Sequence, residues 1–190
     1  MGRADKREAI MRAAMAVFGR VGYLVASIDM IAAEAGVSTR TIYNHFDSKE
    51  KLFAEVLLTS SRQVAEAHEA LIDRNLTDVT DLESALVNLA EDWNRPSPQL
   101  ADHFALSSRM AAEREHFPRE IYEAWREAGP WRVQGALASR FEKLRDQGKL
   151  DMPDTRFAAH LLSVMVTESK DYKQIVHAFL YGYVPRRSAE

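Results

Sequence analysis

Polar side chains between residues 38 and 49 have the chemistry needed to bind double-stranded DNA. Hydroxyl groups suit phosphate oxygens, and a helix N-terminus adds free backbone N–H groups and a partial positive charge. The planar guanidinium of Arg40 can bind O6 and N7 of a guanine together, so Arg40 is the first candidate for reading a base. No acidic residue occurs between Glu34 and Asp47. The predicted DNA contacts are Ser27, Ser38, Thr39, Arg40, Thr41, Tyr43, Asn44, His45 and Lys49.

Each of these residues also has a plainer interpretation. Serine and threonine at helix starts usually only cap the helix, and exposed Arg or Lys side chains are usually only solvated. Thr39 could contact a thymine methyl group or a phosphate, whereas His45 and Lys49 are expected to face the DNA backbone. The DNA-binding interpretation depends on their combination. A small apolar core, a tight turn and a polar face without acidic residues occupy adjoining positions in the sequence.

Three short N-terminal helices are predicted to hold this polar segment in a helix-turn-helix. Apolar residues from Ile10 to Val21 recur every three or four positions, which is the period of an amphipathic helix. The expected caps and stops are Gly22, Ser27, Gly36 and Ser38, followed by Asp47 or Ser48 before a long fourth helix. The expected core of the turn consists of Ile31, Val37, Ile42 and Phe46.

Further amphipathic segments continue to the end of the chain, without a convincing alternating strand pattern. We predict an all-α fold, with about nine or ten helices in total. Residues 1–50 are expected to form the helix-turn-helix DNA-binding domain. Residues 51–190 are expected to form a helical bundle that senses a ligand and dimerises.

Composition excludes several other classes of protein. The 190 residues contain no cysteine, which removes a disulfide framework, a thiolate metal site and a cysteine nucleophile. The net charge is −3; residues 1–51 contain eight Lys and Arg against six Asp and Glu, a net of +2, which leaves −5 for the rest. We expect no signal peptide, no membrane span and a cytoplasmic location. Neither a catalytic motif nor histidines at metal-ligand spacing are found, so no catalytic residue, metal or cofactor is predicted.

The sequence resembles the tetracycline-repressor (TetR) family over roughly residues 7 to 57. The matching residues are Ala14, Phe18, Gly22, Tyr23, Ile31, Ala32, Ala35–Ser38, Thr41–Phe46, Ser48–Glu50 and Leu52. The resemblance implies that Lys49 touches a phosphate at the start of helix 4. It also implies that six residues lie along or beside the recognition helix: Ser38, Thr39, Arg40, Thr41, Tyr43 and His45. Where many members have Lys-Gly, this chain has Thr39 and Arg40, so its base preference is expected to differ.

The resemblance also implies a homodimer in which two long C-terminal helices of each chain form a four-helix bundle. Two amphipathic segments, 131–147 and 153–168, agree with this expectation. Periodicity does not separate an intramolecular core from a dimer seam for the apolar residues of these segments. The candidate interface residues are Leu137, Phe141, Leu144, Phe157, Leu161, Val164 and Met165.

Aromatic residues and methionines in the middle of the chain suit a pocket for a flat or apolar ligand. Plain core packing is the alternative for each of them. The candidate pocket residues are Trp93, His103, Phe104, Arg109, Met110, Tyr122, Trp125 and Trp131. The stretch from Phe117 to Trp131 looks like that of regulators of multidrug-efflux operons.

These features predict a sequence-specific repressor that a small ligand releases from a palindromic operator, by shifting helix 4 and the separation of the recognition helices. The expected partners are operator DNA, a second copy of the chain and an unidentified effector. An activator or a ligand-independent regulator of the same fold remains an alternative. A helical-bundle enzyme and a helical module that does not bind DNA are the alternatives from other classes.

Overall fold

The computed structural model describes residues 2–95, 97, 100–116, 118–168 and 170–182. These residues form ten α-helices and a 3-10 turn over Arg114–His116, and none of them lies in a strand. The all-α prediction is confirmed. The helices are α1 Arg3–Val25, α2 Ile28–Ala35, α3 Thr39–Tyr43, α4 Lys49–Leu76, α5 Leu82–Trp93, α6 Ala101–Ala112, α7 Arg119–Ala128, α8 Pro130–Asp146, α9 Thr155–Glu168 and α10 Tyr172–Tyr181.

Local capping chemistry sets the ends of the N-terminal helices. The Ser27 hydroxyl oxygen accepts the Met30 N–H at 3.2 Å and so begins α2. Gly36 ends α2 in the left-handed conformation, with φ 66°. Ser38 begins α3 in the same way as Ser27 begins α2, and the Ser48 hydroxyl oxygen accepts a backbone N–H at the start of α4. Of the two caps considered for the fourth helix, Ser48 is the one observed.

The predicted stop at Gly22 is present as a break in the helical backbone within α1. Helical hydrogen bonding continues to Val25, but Gly22 interrupts the helical backbone with φ 79° and ψ 166°. This conformation is accessible essentially only to glycine. Gly22 therefore kinks the chain as it leaves the long part of α1, three residues before the helix ends.

The chain divides into two compact units, and the division does not follow the predicted boundary at residue 50. Unit 1 is Met1–Ala65 with Pro96–Pro130, and unit 2 is Glu66–Arg95 with Trp131–Glu190. Residue 50 lies within unit 1, near the start of α4, which runs from Lys49 to Leu76. The assignment of DNA binding to 1–50 and of sensing and dimerisation to 51–190 stays a prediction. Phe117 and the last eight residues of the predicted second domain lie outside the described residues.

Unit 1 has a core that joins the helix-turn-helix to α6. Phe18 on α1 and Phe53 on α4 are fully buried, with ring centroids 5.0 Å apart in an edge-to-face arrangement. Leu106 and Met110 from α6 belong to the same core. Gly19 allows α1 and α6 to approach closely, because a Cβ there would lie 3.3 Å from the Ala105 Cβ.

Unit 2 is built around buried side chains of α5, α8, α9 and α10. The Asn94 side-chain amide, at the end of α5, donates to the Val166 carbonyl of α9 at 3.0 Å. On α8, the Arg132 guanidinium donates two hydrogen bonds of 2.7 Å to the Glu69 carboxylate. The buried apolar residues here include Leu86, Leu89, Leu137, Phe141, Leu144, Leu162, Val166 and Val176. None of the helices in the described ranges is both long and apolar enough to cross a lipid bilayer.

Candidate DNA-binding surface

Helices α2 and α3 form a tight helix-turn-helix around a small apolar centre. The turn is closed by backbone hydrogen bonds from Gly36 to Ala33 at 3.3 Å and from Val37 to Ala32 at 3.0 Å. Ile31 and Ile42 are fully buried between the helices, Phe46 is buried and Val37 is half-buried, as predicted. This packing fixes the direction in which α3 presents its other side chains.

The side chains of α3 that point away from this centre carry the predicted DNA contacts. Arg40 and Asn44 are exposed, and Tyr43 is 54% exposed although it is a large aromatic residue. Helix α3 ends at Tyr43: Asn44 is its C-terminal cap, and His45 lies in the following turn. Ser38, Thr39, Thr41 and His45 are exposed or half-buried.

Two of the predicted contacts already have a role inside the helix-turn-helix. The hydroxyl oxygens of Ser27 and Ser38 accept backbone N–H groups, and the hydroxyls of Ser38 and Thr41 lie 2.9 Å apart. A serine hydroxyl still has a proton to donate while its oxygen accepts. Capping and phosphate binding are therefore compatible at Ser27.

Lys49 supports the connection between α1 and α2. Its ammonium donates to the carbonyls of Tyr23 and Ala26, both at 2.8 Å, and lies 4.4 Å from the centre of the Tyr23 ring. Two of its three protons are thus committed within unit 1. The phosphate contact stays a prediction and would use the third proton.

Replacing Lys49 with alanine should lower the free energy of unfolding by about 1.5–3 kcal/mol, because two partly buried carbonyls lose a charged donor. Urea denaturation followed by circular dichroism measures this. The matched control is Lys51→Ala, since Lys51 is exposed and only 3.4 Å from Asp47; it should cost less than about 1 kcal/mol. If Lys49→Ala unfolded like the wild type but bound DNA more weakly, the lysine would be a DNA contact and not a structural support.

Residues of α6 and the residue after it bind the backbone near the C-terminal end of α1. The Glu113 carboxylate, directly after α6, accepts the Tyr23 N–H at 3.1 Å, and Arg109 donates to the Arg20 carbonyl at 3.3 Å. A Cβ on Gly22 would overlap the Glu113 carboxylate. Glu113 was not predicted from the sequence, because no local pattern relates residue 113 to residue 22. The position of the α1–α2 connection thus depends on α4 and α6 together.

The candidate pocket residues are not gathered in one place within either unit. Met110 is fully buried in the core of unit 1, and Tyr122 and Trp125 pack against that core. These three contacts agree with core packing, the alternative to a pocket, and a pocket role for them stays a prediction. Arg109 contacts the Arg20 carbonyl, and Phe104 is partly exposed. Trp93 and Trp131 belong to unit 2, where the Trp93 ring lies 4.2 Å from the His68 ring.

His103 is a buried histidine with a polar partner. Its Nδ1 lies 2.7 Å from the Ser60 hydroxyl oxygen, on α4. Burial lowers the pKa of His103 below its ordinary value, while the nearby Asp102 carboxylate acts in the opposite direction. His103 and Ser60 also line a groove with Met11 and Met15 of α1, so His103 faces a space within unit 1.

The candidate dimer residues fall into two groups. Leu137, Phe141 and Leu144 of α8 are fully buried inside unit 2, so they are core residues and not an exposed seam. On α9, by contrast, Phe157 is 62% exposed, Leu161 39% and Val164 46%, with Met165 half-buried beside them. Both groups have the same helical periodicity, which is why the sequence did not separate them.

The buried turn and the exposed polar face of α3 define a helix-turn-helix protein. Residues 10–56 match the family model of bacterial regulatory proteins of the tetR family. Residues 99–180 match the C-terminal domain of AefR-like transcriptional repressors. The chain belongs to the tetR family of bacterial regulatory proteins.

Curated relatives and solved structures agree with this assignment. The chain is 29% identical over 87 residues to the transcriptional regulator YhgD of Bacillus subtilis, covering 46% of each. It is 39% identical over 90 residues to the transcriptional repressor NicS of Pseudomonas putida, covering 46% of this chain and 40% of NicS. The chain therefore spans less than half the length of these curated relatives.

A solved TetR-family regulator from Mesorhizobium loti matches 98% of the chain over 89% of its own, with 29% identity and a TM-score of 0.73. A regulator from Saccharomonospora viridis, solved in complex with choline, has the same fold at 23% identity and a TM-score of 0.71, covering 97% of this chain and all of its own. These proteins are transcriptional regulators and not enzymes.

Proposed function

We propose that the protein is a sequence-specific transcription regulator that binds a near-palindromic DNA operator as a homodimer. The observation that carries this proposal is the face of α3, where Arg40 and Tyr43 are exposed while Ile42 is buried. A recognition helix needs this arrangement, because its inner face must hold it to the domain while its outer face enters the major groove. A regulator of this kind acts in the cytoplasm, where bacterial DNA is accessible.

Within this proposal the exposed residues have separate roles. Arg40 reads a guanine through O6 and N7, and Thr39 contacts a thymine methyl group or a phosphate. Tyr43, Asn44 and His45 contact the sugar-phosphate backbone. The serine caps hold the helix N-termini, whose free N–H groups are suited to phosphates.

The proposal is tested by gel retardation with palindromic fragments from beside the protein's own gene and with scrambled fragments of equal length. We expect a discrete complex with one such palindrome and none with its scrambled form at physiological salt. Failure to retard any of these fragments would contradict the proposal.

Replacing Arg40 with alanine should weaken operator binding by about 1–3 kcal/mol and abolish base preference at one position of each half-site. Binding to a library of operators with single base changes measures this preference. Arg12→Ala is the control, since Arg12 is exposed on α1 and pairs with Glu8 at 2.5 Å. An unchanged specificity profile for Arg40→Ala would remove Arg40 from the role of base reader.

The exposed apolar face of α9 supports dimerisation through unit 2. Phe157, Leu161 and Val164 recur at spacings of four and three, so they lie on one face of the helix, opposite the buried residues of α9. Three large apolar side chains on one exposed helix face are typical of an interaction surface. A second copy of the chain would cover them in an isologous contact, and a two-fold dimer matches a palindromic operator.

The regulator is further proposed to be a repressor that a small, largely apolar or aromatic effector releases. NicS is named a repressor, and the FrrA regulator, 27% identical to this chain, is named flavonoid-responsive. Arg109 and Glu113 bind the backbone near the end of α1, directly before the helix-turn-helix. A movement of α6 would therefore be transmitted to the helix-turn-helix. An effector that favours one position of α6 would change operator affinity, and coupling of this kind typically amounts to about 1–3 kcal/mol.

Activation is the alternative, because FasR of Mycolicibacterium smegmatis, 44% identical over 55 residues, is named an activator. A reporter gene behind the operator distinguishes the two outcomes: deletion of a repressor raises expression, whereas deletion of an activator lowers it. The likeness to multidrug-efflux regulators stays a prediction, which the identity of the adjacent gene would test.

A further inference from the structure

Most cations between residues 2 and 51 have a partner within the protein. Four of them lie beside a carboxylate, and Lys49 is bound to two carbonyls. The four paired cations are Arg7, Arg12, Arg20 and Lys51. Within this described segment, the cations with neither a carboxylate nor a carbonyl partner are Arg3, Lys6 and Arg40. The charges of these three side chains are therefore not compensated by an ion pair.

Arg3 and Lys6 lie next to the recognition helix. Three positions apart on α1, they share one face of that helix. Together with Thr41, Asn44 and His45 they line a shallow basin at the C-terminal end of α3. The basin thus combines two cations with a hydroxyl, an amide and an imidazole, all of which can donate hydrogen bonds to an anion.

The N-terminal turns of α1 are anchored beside this basin by Arg7. Its guanidinium lies 5.2 Å from the centre of the Phe46 ring and pairs with Glu55 of α4. Because Phe46 directly follows His45, this contact holds the start of α1 beside the turn that follows α3. Arg3 and Lys6 are therefore placed by a structural contact, and their own charges remain available.

The acidic residues near the basin do not neutralise it. Asp5 lies about 200° around the helix axis from Arg3 and about 100° from Lys6. Its carboxylate accepts the Gly2 N–H at 2.8 Å. Asp47, beyond His45 in the chain, is paired with Lys51.

We propose that Arg3 and Lys6 form, with Thr41, Asn44 and His45, a second anion site that binds a phosphate group of the DNA backbone beside the groove that α3 reads. The site rests on the proposed function, and it adds a contact made by α1 to those made by the helix-turn-helix. It binds any sequence equally, because a phosphate diester carries no base information. Its contribution is to affinity, register and salt dependence.

The test uses a mixed-sequence duplex of about 30 base pairs, long enough for the two recognition helices of a dimer to lie about one helical turn apart. The affinity of the full-length protein is measured by fluorescence anisotropy between 50 and 300 mM salt, roughly the range over which counterion release dominates. The variant Arg3→Ala/Lys6→Ala should reduce the slope of log affinity against log salt by about 0.9 for each phosphate that the protein no longer binds. Near 100 mM salt its affinity should fall on the order of 10-fold. On the specific operator its base preferences should be those of the wild type.

Two further variants separate this site from effects of fold or of total charge. Arg3→Lys/Lys6→Arg keeps both charges and should retain the wild-type slope. Arg156→Ala/Lys173→Ala removes two exposed cations of unit 2 and should also leave the slope unchanged. Thermal unfolding checks that all variants fold.

The possible results lead to distinct conclusions. A wild-type slope for Arg3→Ala/Lys6→Ala would overturn the site, and so would an equal reduction in the unit 2 control, because the effect would then be one of net charge. A change in base preference would also overturn it, because a phosphate site reads no bases. Absence of any DNA binding by the wild type would instead refute the proposed function.

Discussion

Replacing Gly22 with alanine should lower the free energy of unfolding by about 2–4 kcal/mol, of which about 1–3 kcal/mol comes from the backbone conformation alone. Gly22 has φ 79° and ψ 166°, where a Cβ is strained in any surroundings. The new methyl group would also displace the Glu113 carboxylate, which accepts the Tyr23 N–H. Thermal and urea unfolding followed by circular dichroism measure the loss of stability. Operator affinity should fall as well. Lys49, a predicted phosphate contact, donates to the carbonyl of the next residue, Tyr23, so a shift of the backbone at residue 22 would also displace Lys49.

Two further variants separate the causes of this destabilisation. Gly135→Ala places a methyl group in the middle of α8, where nothing lies within 4 Å, and should stabilise the protein by about 0.5–1 kcal/mol. In a double-mutant cycle with Glu113→Ala, the part of the destabilisation caused by overlap should disappear while the backbone part remains. A Gly22→Ala protein as stable as the wild type would show that the kink at residue 22 does not exist in solution.

Placing two glutamates on the exposed face of α9, Leu161→Glu with Val164→Glu, should convert the proposed dimer to a monomer. Near a two-fold axis each new charge meets its own copy, and like charges at a buried contact cost several kcal/mol. Because the two half-sites would then bind separately, operator affinity should fall about 100-fold or more. Sedimentation velocity measures the oligomeric state, and gel retardation measures the affinity.

Lys173→Glu is the matched control, because it changes the net charge by −2 as the double variant does. Lys173 is exposed in the first turn of α10, where a glutamate suits the helix dipole. The control should remain dimeric with wild-type affinity. If the double variant stayed dimeric and the wild type was also a dimer, the interface would lie elsewhere; a monomeric wild type would remove the dimer from the proposal.

The parts of the fold that local chemistry determines were predictable from the sequence. Ser27 and Ser38 have short polar side chains that accept the N–H groups at helix starts, and Gly36 takes the left-handed conformation that ends α2. Gly129 and Pro130 separate α7 from α8, as their backbone preferences require. Each of these signals acts over three or four residues, so the chain order alone shows them.

Contacts between distant residues were not predictable in the same way. Leu137 and Leu161 repeat with the same helical period, yet the first is fully buried and the second is 39% exposed. Only the arrangement of the helices in unit 2 decides which apolar face is covered. Lys49 shows the same limit, because the carbonyls that it binds are 23 and 26 residues away.

The sequence indicated the polar, exposed face of α3, but it did not indicate which residues of other helices lie beside that face. Arg40 and Tyr43 are exposed, as a recognition helix requires. Arg3 and Lys6 gave no signal of their own, because cations near the start of a helix are common and usually solvated. Their position beside His45 depends on the packing of α1, which the sequence pattern does not contain.

The contact between Gly22 and Glu113 has a consequence for how this protein can vary over evolution. Residue 22 has room only for a hydrogen atom while a carboxylate occupies the space beside it. A smaller residue at position 113 would remove this overlap, but it would not remove the backbone strain that any Cβ meets at the φ of 79° of residue 22. Glycine is therefore expected to persist at position 22 in descendants of this chain, even where the residue at position 113, 91 residues away, has changed.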